Sequence, residues 1–168
     1  MARVLIIGDT HCPVMHRRYI DFLKEIQDSW DTDKVIHIGD LVDWASISYH
    51  PKAPSLKNSE QEYEKAHKQV AQLYEAFPEV TWIIGNHDAL TERQVFDIGL
   101  PIDLLKNYKE IWNVPNWEIV PRFGHKIIDD VLYMHGDKGR YGKFPAILNA
   151  EAEFQSVVQG QAQRAAGV

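Results

Sequence analysis

Three apolar runs in this chain end on a glycine followed at once by side chains that can bind a metal or move a proton. Gly8-Asp9-Thr10-His11 closes the first, Gly39-Asp40 the second and Gly85-Asn86-His87-Asp88 the third. A fourth run, Val131–Met134, ends in His135-Gly136-Asp137. The donors are carboxylate, amide and imidazole, with no sulfur among them. Such a set suits magnesium and the divalent transition metals rather than a structural zinc knot. Two cations held about 3.5–4 Å apart need a bridging ligand and a polar shell. A carboxylate can bridge and an imidazole normally cannot, so Asp40 is the bridge candidate.

The elements that must carry these tips follow from periodicity. Arg3–Asp9, Lys34–Asp40 and Val80–Ile84 are short, continuous apolar runs of the kind buried parallel strands show. Between them, helical spacing predicts a helix over Val14–Trp30, with Tyr19, Phe22, Leu23, Ile26 and Trp30 inward. A second helix starts at Ser59, read as its cap with Glu62 closing a capping box. This β-α-β-α-β order calls for a parallel sheet with helices on its faces, an α/β fold. Strand ends then converge on one edge, where open α/β sheets bind ligands.

Beyond residue 90 the pattern predicts helices over Thr91–Ile98 and Ile102–Trp112, the latter with Leu104, Leu105, Tyr108, Ile111 and Trp112 inward. Short strands at Trp117–Pro121, Lys126–Ile128, Val131–Met134 and Ser156–Gly160 and a helix at Phe144–Phe154 complete the reading. This later part is expected to be antiparallel. The 168 residues are expected to form one domain with a full core. A net charge of -6 argues against a dedicated nucleic-acid binder, and a cluster of metal-binding carboxylates inflates that count. The lone Cys12 excludes an intramolecular disulfide and argues against a thiolate zinc site. No stretch has the length of a signal core or membrane span, which predicts a soluble, cytoplasmic protein with no membrane partner.

Taken in order, Asp9-x-His11, Gly39-Asp40, Gly85-Asn86-His87-Asp88 and His135-Gly136 resemble the calcineurin-like metallophosphoesterases, over almost the whole chain. The resemblance implies a four-layer α/β/β/α sandwich and a binuclear phosphoesterase acting on phosphomonoesters or phosphodiesters by metal-activated hydroxide. It implies that Asp9 and His11 bind the first metal, that Asp40 bridges, and that Asn86 and His135 bind the second. Two divalent ions are expected, Mn2+ foremost, with Fe, Zn, Ni or Mg as the other candidates. His87 would face the substrate and protonate the leaving oxygen, and Asp88 would orient its ring. The substrate is expected to be a small molecule or nucleotide rather than a long nucleic acid.

One departure stands out. The family closes its site with Gly-His-x-His, and here the segment reads Gly160-Gln161-Ala162-Gln163. Gln161 would face the second metal and Gln163 the first, each a weaker donor than imidazole. Family members add further strands after this motif, so the second sheet is expected to be incomplete and its last edge open to a second copy or a partner strand. The alternative reading is a metal-poor phosphoesterase fold that serves as a docking module.

Other polar residues carry structural readings. Cys12 reads as a small buried side chain. His37 points away from the strand tip by alternation, while His16, His67 and His125 read as surface or packing histidines. Lys138, Arg140 and Lys143 form a basic loop after His135. Trp44, Tyr49 and His50 lie on a long loop after Asp40 that is either a substrate wall or structural. Asp43 reads as an exposed turn residue or an outer partner of the site.

Overall fold

The computed structural model describes residues 1–50, 58–138 and 144–161, so Gln163, Arg140 and Lys143 lie outside the described residues. Strands β1 (Val4–Ile7), β2 (Lys34–His37), β3 (Thr81–Ile83) and β4 (Glu118–Val120) form one sheet in that spatial order. All three pairings are parallel. The sheet is apolar on both faces, as strands covered on both sides must be. Leu5, Ile7 and Trp82 point to one face, where they meet Leu23 of helix α1 (Tyr19–Trp30), Val70 and Leu73 of α2 (Ser59–Ala76) and Trp112 of α4 (Tyr108–Trp112). Ile36, Ile38, Ile83 and Val120 point to the other, toward a second sheet.

That second sheet is β5 (His125–Ile128), β6 (Val131–Met134) and β7 (Ser156–Gln159), with β6 central. Tyr133, Ile128, Val131 and Val158 supply its apolar contacts to the first. Asp129 and Asp130, both at positive φ, turn β5 into β6. Positive φ at both central residues is what a tight two-residue hairpin turn requires. Two further helices frame the site: α3 (Leu90–Asp97) follows the β3 tip directly, and α5 (Pro145–Glu153) lies beside β7, with Asn149 Nδ2 donating to Gln159 Oε1 at 2.7 Å. No helix among the described residues is long and apolar enough to cross a membrane.

The α/β reading holds, and several local expectations need correction. The later half is not wholly antiparallel. β4 extends the parallel sheet and β7 runs parallel to β6, because helical segments separate each from its neighbour and carry the chain back. The first helix starts at Tyr19 rather than Val14. Residues 11–14 are instead held against the β2 tip, with His11 N donating to Asp40 O and Cys12 N to Leu41 O. Phe22 and Trp30 are exposed rather than inward, since α1 lies over the edge strand β1 and overhangs the sheet. Asn58, not Ser59, caps α2 by accepting from Gln61 N. Glu62 bonds elsewhere. It accepts from Ala45 N and Ser46 N at 2.7 and 2.8 Å and pins the loop after Asp40. The helix expected over Ile102–Trp112 breaks into a 3₁₀ turn (Ile102–Leu104) and α4, because Asn107 and Glu110 form their own capping box. Leu104 is left exposed by that break.

Candidate metal centre

The parallel pairings bring the tips of β1, β2 and β3 to one edge, and the tip of β6 joins them across the sheets. Asp40 is the hub. Its Oδ2 lies 3.8 Å from His11 Nε2 and 3.4 Å from His135 Nε2, so one carboxylate oxygen stands between the two halves of the cluster. Its Oδ1 accepts from His87 N at 2.9 Å. Asp40 and His135 are buried, while Asp9, His11, Asn86 and His87 are half-buried. Ligand atoms of Asp9, His11 and Asp40 all lie within 4.8 Å of one another.

His135 collects the second set. Its Nδ1 donates to Ile38 O at 2.8 Å, which fixes the ring. Its Nε2 then meets Asn86 Oδ1 at 2.9 Å and Gln161 Oε1 at 2.8 Å. Oxygens this close around one imidazole nitrogen have the spacing of a metal's ligand shell, with Asp40 on the shared side. Gln161 thus lies beside His135 and Asp9. Its backbone also ties in, with Gln161 N donating to Asp9 Oδ2 at 3.2 Å.

The residues present fit divalent cations. Among the described residues Asp9 Oδ1 is buried with no hydrogen-bond partner, an arrangement that costs free energy unless something fills it. The backbone approaches the ligands so closely that side chains are excluded: a Cβ at Gly85 would collide with Asp40 Oδ1, and one at Gly160 would sit 2.7 Å from Asp9 Oδ1. The charges are mutually dependent. Burial raises the Asp9 carboxyl, and the nearby Asp40 carboxylate adds to this. Burial is the largest influence on Asp40 and works against its ionised form, but the hydrogen bond and charge of His135 together with those of His87 outweigh it and leave that carboxyl below its ordinary value. Burial likewise opposes a charged His135, yet the Asp40 carboxylate at Nε2 overrides that cost and pushes the imidazole up to about 9.

His87 and Asp88 part company. Asp88 is buried and accepts from Gly85 N at 2.8 Å, Val42 N at 3.2 Å and Trp82 Nε1 at 3.2 Å. It locks the β2 and β3 tips together. Those three donors take up its oxygens, so the expected role of Asp88 in orienting His87 is corrected. The partner of His87 Nδ1 is the backbone carbonyl of Asp43, at 2.6 Å. The Asp43 carboxylate bonds His11 Nδ1 at 2.9 Å and lies 3.6 Å from His87 Nδ1. The two imidazoles meet edge to face, 4.7 Å apart. Asp43 is therefore the positioning residue for both rings. Its sequence signal was a carboxylate three residues past Asp40 on the same tip.

The remaining candidates sort cleanly. His37 is buried: Gly39 N donates to its Nδ1, and its Nε2 bonds Thr10 Oγ1 at 3.0 Å, which in turn donates to Leu41 O. It links the β1 and β2 tips from behind, a structural role. Cys12 is buried too, and burial pushes its thiol up to about 12. Trp44 is core, stacked on Tyr63 at 6.2 Å and tilted against Trp112, not a substrate wall. Asp137 pairs with Arg122 at 2.8 Å, and Lys138 lies over the Phe123 ring at 5.3 Å. His16, read as a surface residue, lines an open groove of about 750 Å³ with Val14, Met15 and Tyr19, beside Asp9, His11 and His87.

An α/β sheet that gathers carboxylates, imidazoles and an amide at its strand tips offers a candidate metal-binding site. Residues 2–155 match the calcineurin-like phosphoesterases, and the chain belongs to that family. The matched span ends before β7 and so does not include Gly160-Gln161. No curated protein matches the chain.

Proposed function

We propose that this chain is a binuclear metal-dependent phosphoesterase that hydrolyses small phosphomonoesters or phosphodiesters in the cytoplasm. The carrying observation is Asp40 Oδ2, set between His11 and His135 with Asp9 and Asn86 alongside. Asp9, His11 and Asp40 would hold one cation, and Asp40, Asn86 and His135 the other, with Gln161 as a weak extra donor. Mn2+ suits this oxygen-rich set, with Fe, Zn, Ni and Mg as competitors. When bound, the cations supply Lewis-acid charge to the phosphoryl oxygens and lower the pKa of an attacking water.

The chain's own groups do the rest. His87 donates its Nδ1–H to the Asp43 carbonyl, which directs Nε2 to the substrate side, and in the imidazolium form Nε2–H gives its proton to the leaving oxygen. The Asp43 carboxylate steadies His11 through Nδ1 and so presents Nε2 toward Asp40. The groove beside these groups is roomy enough for a nucleotide-sized ester substituent against Val14, Met15 and Tyr19. β7 is an edge strand among the described residues, and its outer ladder would be where a partner strand adds.

The test is metal content by elemental analysis, followed by a screen of chromogenic monoesters, diesters and single-stranded DNA with Mn2+ added. About two metals per chain and turnover of a small ester are the expected results. A chain that takes up no metal even with excess Mn2+, and turns over nothing, would be a docking module instead.

A further inference from the structure

The groove of about 750 Å³ beside the candidate metal centre has two unlike ends. Asp9, His11, Asp43 and His87 line one, and Val14, Met15, His16 and Tyr19 line the other. The hydrolytic step uses only the first. In that step water adds to phosphorus, and the alcohol leaves with the proton that His87 supplies. Because His87 lines the groove, the substituent on the leaving oxygen extends along it toward the second end.

The second end is apolar with two aimed donors. Val14, 70% exposed, and Met15 give it an apolar and polarizable wall. His16 Nδ1 accepts from Arg18 N at 3.3 Å, so the ring is neutral and carries its proton on Nε2. The Tyr19 hydroxyl accepts from Gly8 N at 3.4 Å, which leaves its own proton for an occupant. Backbone bonds hold this wall before anything binds: His11 N donates to Asp40 O, Val14 N to His11 O and Tyr19 N to His16 O. Binding therefore orders little further.

Charge narrows the occupant. Among the described residues no lysine or arginine lines the groove, and Arg17 and Arg18 lie outside its wall. A second phosphate at this end would meet no fixed cation. An apolar wall with a few placed donors suits an uncharged ring system that carries acceptors.

We propose that this end of the groove selects esters of uncharged, ring-bearing alcohols, with His16 Nε2–H and the Tyr19 hydroxyl donating to acceptors on the ring and Val14 and Met15 against its face. The proposal rests on the phosphoesterase reading, since hydrolysis is what makes the groove a leaving-group site. A nucleoside and a simple heterocyclic alcohol share this chemistry.

The test compares phosphate esters of five primary alcohols of closely matched leaving ability, each as the monoester and as its methyl diester, with Mn2+ added. The alcohols are uridine through its 5′ oxygen, pyridylmethanol, benzyl alcohol, glycerol and glycerol phosphate. The expected order of kcat/KM places the uridine and pyridylmethyl esters first, then benzyl, then glyceryl, with the phosphoglyceryl ester last. The faster of the first two names the source. His16→Ala should raise KM for the acceptor-bearing esters by roughly 3–10-fold, the worth of one neutral hydrogen bond, with kcat and the benzyl ester unaffected. His16→Gln keeps an N–H donor and should recover most of that loss. Val14→Arg should raise kcat/KM for the phosphoglyceryl ester several-fold by supplying the missing cation. Both positions are exposed, so circular dichroism and metal content should match the unaltered chain. Equal kcat/KM for all five alcohols, or a His16→Ala loss shared by the benzyl and glyceryl esters, overturns the proposal and leaves the phosphoesterase reading standing. Turnover of none of the esters sinks that reading and the proposal with it.

Discussion

His37 makes the fold acid-sensitive through a group that never touches substrate. Burial holds its imidazole down to about 3, against an ordinary value of 6.5. The hydrogen bonds explain why the neutral ring is kept: Nδ1 must accept from Gly39 N, and Nε2 faces Thr10 Oγ1, whose own proton goes to Leu41 O. Between pH 6.5 and 3 the unfolded chain binds this proton and the folded chain does not, so stability rises with pH and is lost on acidification. At 1.36 kcal/mol per pH unit over about 3.5 units, the full effect is about 5 kcal/mol, comparable to the whole stability of many domains. Asp88 works in the opposite direction. Burial pushes its carboxyl up to about 7, so its contribution declines as pH rises above its ordinary value. The net curve is therefore a sum, and the His37 part must be read by difference. Urea unfolding of chelator-treated protein should be followed from pH 4 to 7 for the unaltered chain and for His37→Gln. At pH 7 the variant should lose about 1–3 kcal/mol from disturbed buried hydrogen bonds. Its stability should then fall less steeply toward acid, by about 1.4 kcal/mol per pH unit. Parallel curves for the two proteins would refute a buried, neutral His37.

Three further outcomes follow from the site. His87→Ala should lower turnover by roughly 10²–10⁴ with metal content unchanged, and the loss should shrink for an ester with a good leaving group; metal loss would make His87 a ligand. Gly85→Ala should displace Asp40 and cut metal uptake, because the added methyl has no space beside Oδ1; normal loading by elemental analysis would contradict the close approach. Gln161→His and Gln163→His together should raise affinity for Mn2+ and Zn2+ and raise diesterase rate, with Gln161→His alone acting on the His135 half of the site. Equal titration curves for all the forms would remove the glutamines from the ligand set.

The strand tips were legible in the sequence because a buried parallel strand must be apolar along its length and must turn where it ends. Asp9, Asp40, Asn86 and His87 were visible at those turns, and His135 after the fourth run. Order along the chain also fixed the α/β class, since β-α-β connections leave few other packings. What lay beyond reach depended on which donor each oxygen meets. Asp88 follows His87 in sequence, yet it faces inward to Gly85, Val42 and Trp82, and the distant Asp43 turns toward the imidazoles instead. Glu62 shows the same limit: its spacing from Ser59 fits a local cap, but the backbone donors of Ala45 and Ser46 take it. Phe22 and Trp30 fit an inward stripe, but β1 is an edge strand of the described sheet and leaves them uncovered. Periodicity records the face an element buries. The partner of a polar side chain and the lateral limit of a sheet are set by residues remote in sequence, and only the tertiary packing brings them within a hydrogen bond's reach.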